Sequence, residues 1–338
     1  VNNLGLGYEQ LNLDEKNAYL ILLHAVQKQQ ISCDISKIKR NINLMKVLNT
    51  VLSDNPNIIY FNKGLLQIRE RVFSKQLNFL EYLSKKQALQ INQELEKKLR
   101  DAAWEIDKNA RNDRDILKGI SEFLQRTANY DYEELKYSMS GKSKNFLSHN
   151  AYGALVNHKA VCDGFSSAYS LLAQYFGFKC MIVNGKSSYR SNSQVEHAWN
   201  IVEYNGNFYH IDSTWDVNTY EAIKEYSYDY FGLDDDEILL DHVWDYKSTP
   251  KCSANELSYF VANDLFAKSE SQIEDIIYRQ IKHKEKVIRV KISLRISLGD
   301  KPEEYIKNLI RNIMSRSGIY TSFTYVWQEN TRCLTIKI

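Results

Sequence analysis

Proline and glycine are scarce in this chain, 3 and 13 of 338 residues, which excludes collagen-like repeats and proline-rich linkers. Cysteine is sparse too. Cys33, Cys162, Cys180, Cys252 and Cys333 are scattered and none lies in a Cys-x-x-Cys pair, so neither a disulfide framework nor a structural zinc site is expected. Long apolar runs are missing: stretches such as Ala18 to Val26 fall far short of the ~20 residues that cross a bilayer, and no membrane span is expected. An excess of one charge is missing as well, since 44 Lys and Arg against 42 Asp and Glu leave a formal +2. Such a balance does not call for a nucleic-acid partner. What remains is 43% apolar and 25% charged residues, the mixture of a folded soluble chain, with length for two or three domains at roughly 100–200 residues each. The charge is unevenly spread. Residues 212–264 hold 13 acidic and 3 basic side chains and residues 268–338 hold 14 basic and 8 acidic, read as two solvated faces on neighbouring modules. A first residue of Val rather than Met suits removal of an upstream signal segment, and with it a secreted or cell-surface protein is expected, a cytoplasmic one being the other option.

Three stretches differ in periodicity. Residues 1–130 read as an N-terminal helical region. Ala18, Leu22, Ala25 and Val26 recur at helical spacing after a capping Asp14, and Ile35 to Leu52 offers a second helix that Asp54-Asn55-Pro56 stops. Arg69 to Ala110, with Val72, Leu80, Leu83, Ala88, Ile91, Leu95, Leu99 and Ala102, reads as one long helix or two joined end to end. Asp113 to Thr127 adds another. Residues 131–268 form a central core, and residues 269–338 a small C-terminal β-α-β-β unit. Every even position from Ile288 to Leu298 is apolar, the mark of a strand with one buried face. Asp300 and Pro302 open a helix, and Tyr320 to Trp327 and Arg332 to Ile338 follow as strands. The basic odd positions Arg289, Lys291 and Arg295 are expected on a solvated face.

Chemistry concentrates between residues 152 and 216. After Cys162 the run "DGFSSAYSLLAQYFG" places Phe165, Ala168, Tyr169, Leu172 and Phe176 at helical spacing, so Cys162 stands at a helix N-terminus. Unpaired N–H groups there favour the thiolate and can hold an oxyanion formed on a bound carbonyl. "HAWNIVEY" and "NFYHIDSTW" read as strands joined at Asn205-Gly206, a strong two-residue hairpin signal. Tyr204 then faces Asn207, and His197 and Asp212 become diagonal neighbours on one face. A nucleophile at a helix start, an imidazole and an orienting carboxylate make a Cys-His-Asp arrangement.

The order of Cys162, His197 in "HAWN" and Asp212 in "YHIDSTWD" resembles the transglutaminase-like superfamily, in its bacterial branch. "AVCDGFSSAYSLLAQYFGF" is similar to the nucleophile helix of that family and "YFGLDDDEILLDHVW" to the tail of its core, so that about residues 150–250 are covered. The resemblance implies an α+β, papain-like core, a nucleophile helix packed on an antiparallel sheet, and a Cys-His-Asp enzyme acting on protein or peptide amides. Cys162, His197 and Asp212 fall one for one on the family triad.

Around this trio, Trp199 either walls the site or packs in the core, and Tyr152 either donates to the oxyanion or packs. His158 is a rival base and Cys180 a core residue. Glycan-removing relatives carry paired Cys-x-x-Cys zinc ligands, which this chain lacks. The run Asp234-Asp235-Asp236-Glu237 invites calcium, but it lacks the spaced ligands and glycine of a calcium loop and reads better as a helix cap. No cofactor or metal is expected. The function expected is thioester formation on Cys162 from a protein glutamine or other amide, followed by transfer to an amine (protein cross-linking) or to water. A cysteine peptidase or deamidase is the alternative, and a non-catalytic binding module the reading from another class. Loop residues Ser187 to Glu196 would govern the choice of acceptor. The C-terminal unit is expected to serve a protein partner or a homodimer.

Overall fold

The computed structural model describes residues 4–30, 32–71, 74–81, 83–188, 194–318 and 323–338. Its helix Leu13–Gln27 is capped by Asn12, not Asp14, because Asn12 and Glu15 form a reciprocal capping box. That box satisfies donors at both positions, which Asp14 alone could not do. The second helix is shorter than expected. It spans Leu44–Asp54 behind the cap Asn43, while residues 35–42 close successive turns through Ile38 N to Ile35 O and Ile42 N to Lys39 O.

Residues 69–71 and 74–81, expected to open a long helix, lie in strands instead. Phe61–Arg71 and Ser74–Glu81 are antiparallel strands, and Ser32–Asp34 pairs with the second of them to complete a three-stranded sheet. The long helix begins only at Lys85, where Ser84 and Gln87 make a capping box. Val72 lies outside the described residues. Leu77 sits between Cys33 on one side and Ile68 on the other, so strand pairing took the residues whose spacing also fitted a helix. These elements enclose a core of their own that includes Tyr19, Leu22, Val47, Val51, Leu77 and Ala88.

The central region is a five-stranded antiparallel sheet. Its strands run in the order His242–Trp244, Cys180–Ser187, Val195–Tyr204, Asn207–Ile211 and Phe231–Leu233. The helix Cys162–Tyr175 crosses one face, sharing a cluster with Cys180, Val202, Tyr209 and Ile211 through Phe165, Ala168, Tyr169 and Leu172. Met181, Val183, Trp199, Ile201 and Trp244 build a second cluster, as the alternation of a strand buried on both faces requires. Helices Lys85–Asn109 and Asp113–Thr127 pack on the first cluster. Helices with antiparallel sheets make this an α+β protein.

The C-terminal unit keeps the expected β-α-β-β order with two additions. Strand Phe266–Ala267 pairs in parallel with Val287–Ile292, and helix Glu270–Lys282 joins them. The strand stops at Ile292 rather than Leu298, and helix Pro302–Arg316 has no side-chain cap from Asp300. Strands Thr324–Gln328 and Cys333–Lys337 complete the sheet; Tyr320 lies outside the described residues. Lys291 is not on a solvated face. It is buried against Glu237 at 2.5 Å, a cation that only a paired carboxylate makes tolerable there. Ile288, Val290, Ile310 and Ile336 belong to the same cluster as Leu95, Leu124 and Phe165, so one core runs across positions 130 and 268. Among the described residues no helix is long and apolar enough to cross a membrane.

Candidate active site

Cys162 is the first residue of its helix. Val161 before it is extended and supplies no side-chain cap, and its carbonyl oxygen accepts from Gly164 N–H at 2.9 Å in the first turn. The helix start is pressed onto the preceding turn. A Cβ on Gly164 would lie 2.3 Å from the carbonyl oxygen of Ser148, so only glycine permits this approach. Next to the cysteine, Asp163 is held by His149 Nδ1 at 3.1 Å, and His149 Nε2 meets Glu134 at 3.1 Å. Cys162 is partly exposed whereas the four other cysteines are buried.

The Asn205-Gly206 turn forms with both residues at positive φ, 51° and 76°, and Tyr204 pairs with Asn207 as the two-residue turn demands. Strand pairing ends at Asn200 with Ile211. Asp212 is therefore not a strand residue but the N-cap of helix Ser213–Ile223, its Oδ1 accepting from the N–H groups of Thr214 and Trp215. Its other oxygen, Oδ2, accepts from His197 Nε2 at 2.6 Å. Cys162 also acts on the His197 ring, favouring its protonated form. Burial alone would lower the pKa of His197, but the charge and hydrogen bond of Asp212, joined by Cys162, outweigh it and lift the value to about 9. Burial would raise Asp212; instead His197 and His242 hold it well below the ordinary carboxylate range.

The other expected residues lie elsewhere. Tyr152 donates its hydroxyl to Glu94 at 2.5 Å, and burial and that carboxylate push its pKa to about 12, so the phenol is committed to a neighbouring helix. His158 is exposed in a left-handed turn. Cys180 is buried, its pKa raised by burial to about 12. Trp199 is 1% exposed, stacks on His197 at 6.0 Å and donates Nε1 to His210 Nδ1 at 3.0 Å. It is a wall behind the imidazole. Gly185, paired with His197, leaves space for this indole, since a Cβ there would lie 2.7 Å from the ring. Asp234 caps the helix Asp235–Ile238 in a capping box with Glu237. Of the loop Ser187 to Glu196, residues 189–193 lie outside the described residues.

Two groups escaped sequence reasoning. Tyr130 stands near the sulfur: burial raises its pKa, and the charges of Cys162, Asp163 and Asp212 add to the rise. The cue was weak, a two-residue strand Asn129–Tyr130 parallel to Lys159–Ala160 just before Cys162. The second is His242, whose Nε2 reaches Asp212 Oδ2 at 3.0 Å. His197, Asp212 and His242 are close enough to suggest metal ligands, as are His210, Asp235 and Cys252. In the first group the 2.6 Å contact is a hydrogen bond, tighter than the roughly 3.3 Å between two ligands set tetrahedrally ~2.0 Å from zinc. In the second, the indole N–H of Trp199 can only donate, so His210 Nδ1 accepts and Nε2 carries the hydrogen bonded to Asp235 at 3.0 Å. That nitrogen has no lone pair for a metal.

Residues 100–213 match the family model of the transglutaminase-like superfamily. That match covers about a third of the chain. Human kyphoscoliosis peptidase is 27% identical over 128 residues, which are 34% of this chain and 19% of that protein; the match thus spans about a fifth of the length of that relative. A crystal structure of a TGase superposes with a TM-score of 0.33 at 17% identity, covering 44% of this chain and 43% of that one. The stretch similar to the family ends at Ser213, one residue past Asp212.

Proposed function

We propose that the core is papain-like in arrangement and that Cys162, His197 and Asp212 are its catalytic trio. The observations supporting this are a partly exposed sulfur at a helix start that favours the protonated form of His197, and a 2.6 Å hydrogen bond from His197 to a buried Asp212 held by backbone N–H groups. The Cys162 sulfur attacks a carboxamide carbonyl of a protein or peptide, and a C–S bond forms. First-turn N–H groups hold the oxyanion. The C–N bond then breaks as His197 gives its proton to the leaving ammonia or amine, while Asp212 keeps the imidazolium oriented. In the second step His197 takes a proton from the incoming amine or water, which attacks the thioester and frees the sulfur. Amine attack makes the protein a transglutaminase that cross-links proteins. Water makes it a deamidase or peptidase, a reading favoured by the name of the human relative.

The C-terminal unit supplies none of the trio, and partner binding or homodimerisation is the role proposed for it. Incubation with a glutamine-containing protein and a labelled primary amine, followed by mass spectrometry, tests the scheme. Amine incorporation identifies transfer, conversion of glutamine to glutamate identifies deamidation, and new termini identify proteolysis. No modification, together with a Cys162 no more reactive than Cys180, would sink the enzymatic reading in favour of a binding module.

A further inference from the structure

His242 lies on the edge strand His242–Trp244, fully buried. Its Nε2 is 3.0 Å from Asp212 Oδ2 and its Nδ1 2.5 Å from Asp241 Oδ1. An ionised carboxylate only accepts, so this placement suits hydrogen on both ring nitrogens, and against the effect of burial Asp212 and Asp241 raise the pKa of His242. Asp212 thereby receives two imidazole N–H groups on one oxygen and two backbone N–H groups on the other, about the full capacity of a carboxylate. Asp241 is anchored in turn. Its second oxygen accepts from Tyr230 Oη at 2.7 Å and from Asn330 Nδ2 at 2.9 Å, and Asn330 lies in the turn between the last two strands of the C-terminal unit.

We propose that His242 is a positioning residue for the reaction proposed above: a second imidazolium, fixed by Asp241, that holds the Asp212 carboxylate in line with His197. The inference rests on the trio being catalytic. Trp199 and Trp215 pack against both rings, at 6.0 and 5.8 Å from His197 and at 4.8 and 4.7 Å from His242. One pair of indoles thus clamps two imidazoles joined by one carboxylate oxygen. The charges alternate along the line from Asp241 through His242 and Asp212 to His197. A neutral residue at 242 would leave two buried carboxylates with no cation between them, a costly arrangement. The ionisable groups facing His242 are Asp212, His197 at a ring separation of 5.3 Å, Tyr230, its own neighbour Asp241, and His210, whose pKa His242 helps to lower.

The test is the rate of Cys162 alkylation by iodoacetamide across pH, read by mass spectrometry on the full chain, with wild type, Cys162→Ala, His197→Ala, His242→Gln and His242→Phe. If His197→Ala leaves the profile unchanged, the trio itself is wrong, whatever His242 does. With the trio upheld, His242→Gln removes one positive charge beside the sulfur–imidazole pair, and both limbs of its profile move to higher pH by about one unit. His242→Phe keeps ring volume and loses the hydrogen bond as well, so the same displacement comes with about a tenfold lower kcat at little changed KM. A lower melting temperature with both limbs unmoved would overturn the proposal and leave His242 a packing residue. Zinc that copurifies with the wild type and is lost from His242→Gln would overturn it too, making His242 a ligand. Should His242→Phe not fold, His242→Gln alone decides.

Discussion

Two Cys-His-Asp groups gather among the described residues, and the chemistry proposed above belongs to one of them. Cys162, His197 and Asp212 meet at a helix start with the sulfur partly exposed. Cys252, His210 and Asp235 gather in the interior, where Trp199 separates the two sets by stacking on one histidine and donating to the other. Residue types are equal, but the donors around each ring are not. His197 faces a carboxylate and a sulfur, both able to accept, and carries its proton to about pH 9. His210 faces an indole N–H that forbids a second proton, and burial lowers its pKa despite Asp235. Burial first, and then Asp235 and Asp234, push the Cys252 thiol upward. A triad is thus specified by what surrounds the imidazole, not by its members.

The sharpest way to break the comparison is to remove each sulfur. Cys162→Ala is expected to abolish turnover, by about 10³-fold or more, with an unchanged melting temperature, whereas Cys252→Ala keeps turnover and costs about 1–2 kcal/mol of stability by opening a small buried void. Activity lost with Cys252 and kept without Cys162 would exchange the two roles. Next come the partners. His197→Ala should cost about 10²–10⁴-fold in kcat, and Asp212→Asn less, because asparagine still caps the helix and the base stays in place. Equal losses would mean that Asp212 does more than orient.

A chain ending at residue 268 loses the partners of Glu237 and Asp241, namely Lys291 and Asn330, together with much of the shared apolar core. It is expected to melt well below the full chain and to lose the enhanced alkylation of Cys162. A stable, reactive 1–268 fragment would instead establish the C-terminal unit as an independent domain. The smallest effect is on pH dependence. Because the folded pKa of His197 is raised, its stabilisation is complete below ~6.5 and fades as pH climbs towards about 9. His210 has the opposite sign: its folded pKa is depressed, so it disfavours the fold as pH drops below ~6.5. Melting temperatures of His197→Ala should therefore lose the alkaline slope and those of His210→Gln part of the acid slope.

Much of the site was legible because it is local. The Asn-Gly turn fixes register over residues 200–211, and a helix stripe after Cys162 fixes the sulfur at its start. His242 was hidden for the opposite reason. It sits on a three-residue edge strand 30 positions from Asp212, where neither periodicity nor turn chemistry carries a signal. Tyr152 misled because proximity in sequence says nothing of direction: its hydroxyl reaches back 58 residues to Glu94. The strands at residues 61–81 were missed because pairing with Ser32–Asp34 is non-local, and spacing compatible with a helix prevailed until Ser84 supplied a true cap.

The tight turn at Asn205-Gly206 also sets an order of events. It brings His197 and Asp212, 15 residues apart, to within hydrogen-bond distance by closing one hairpin, an event of microseconds. Cys162 comes from 35 residues further back on a helix that must dock across the sheet, a slower step with a longer loop to close. In refolding, the His197–Asp212 contact is therefore expected to form before Cys162 is seated beside it.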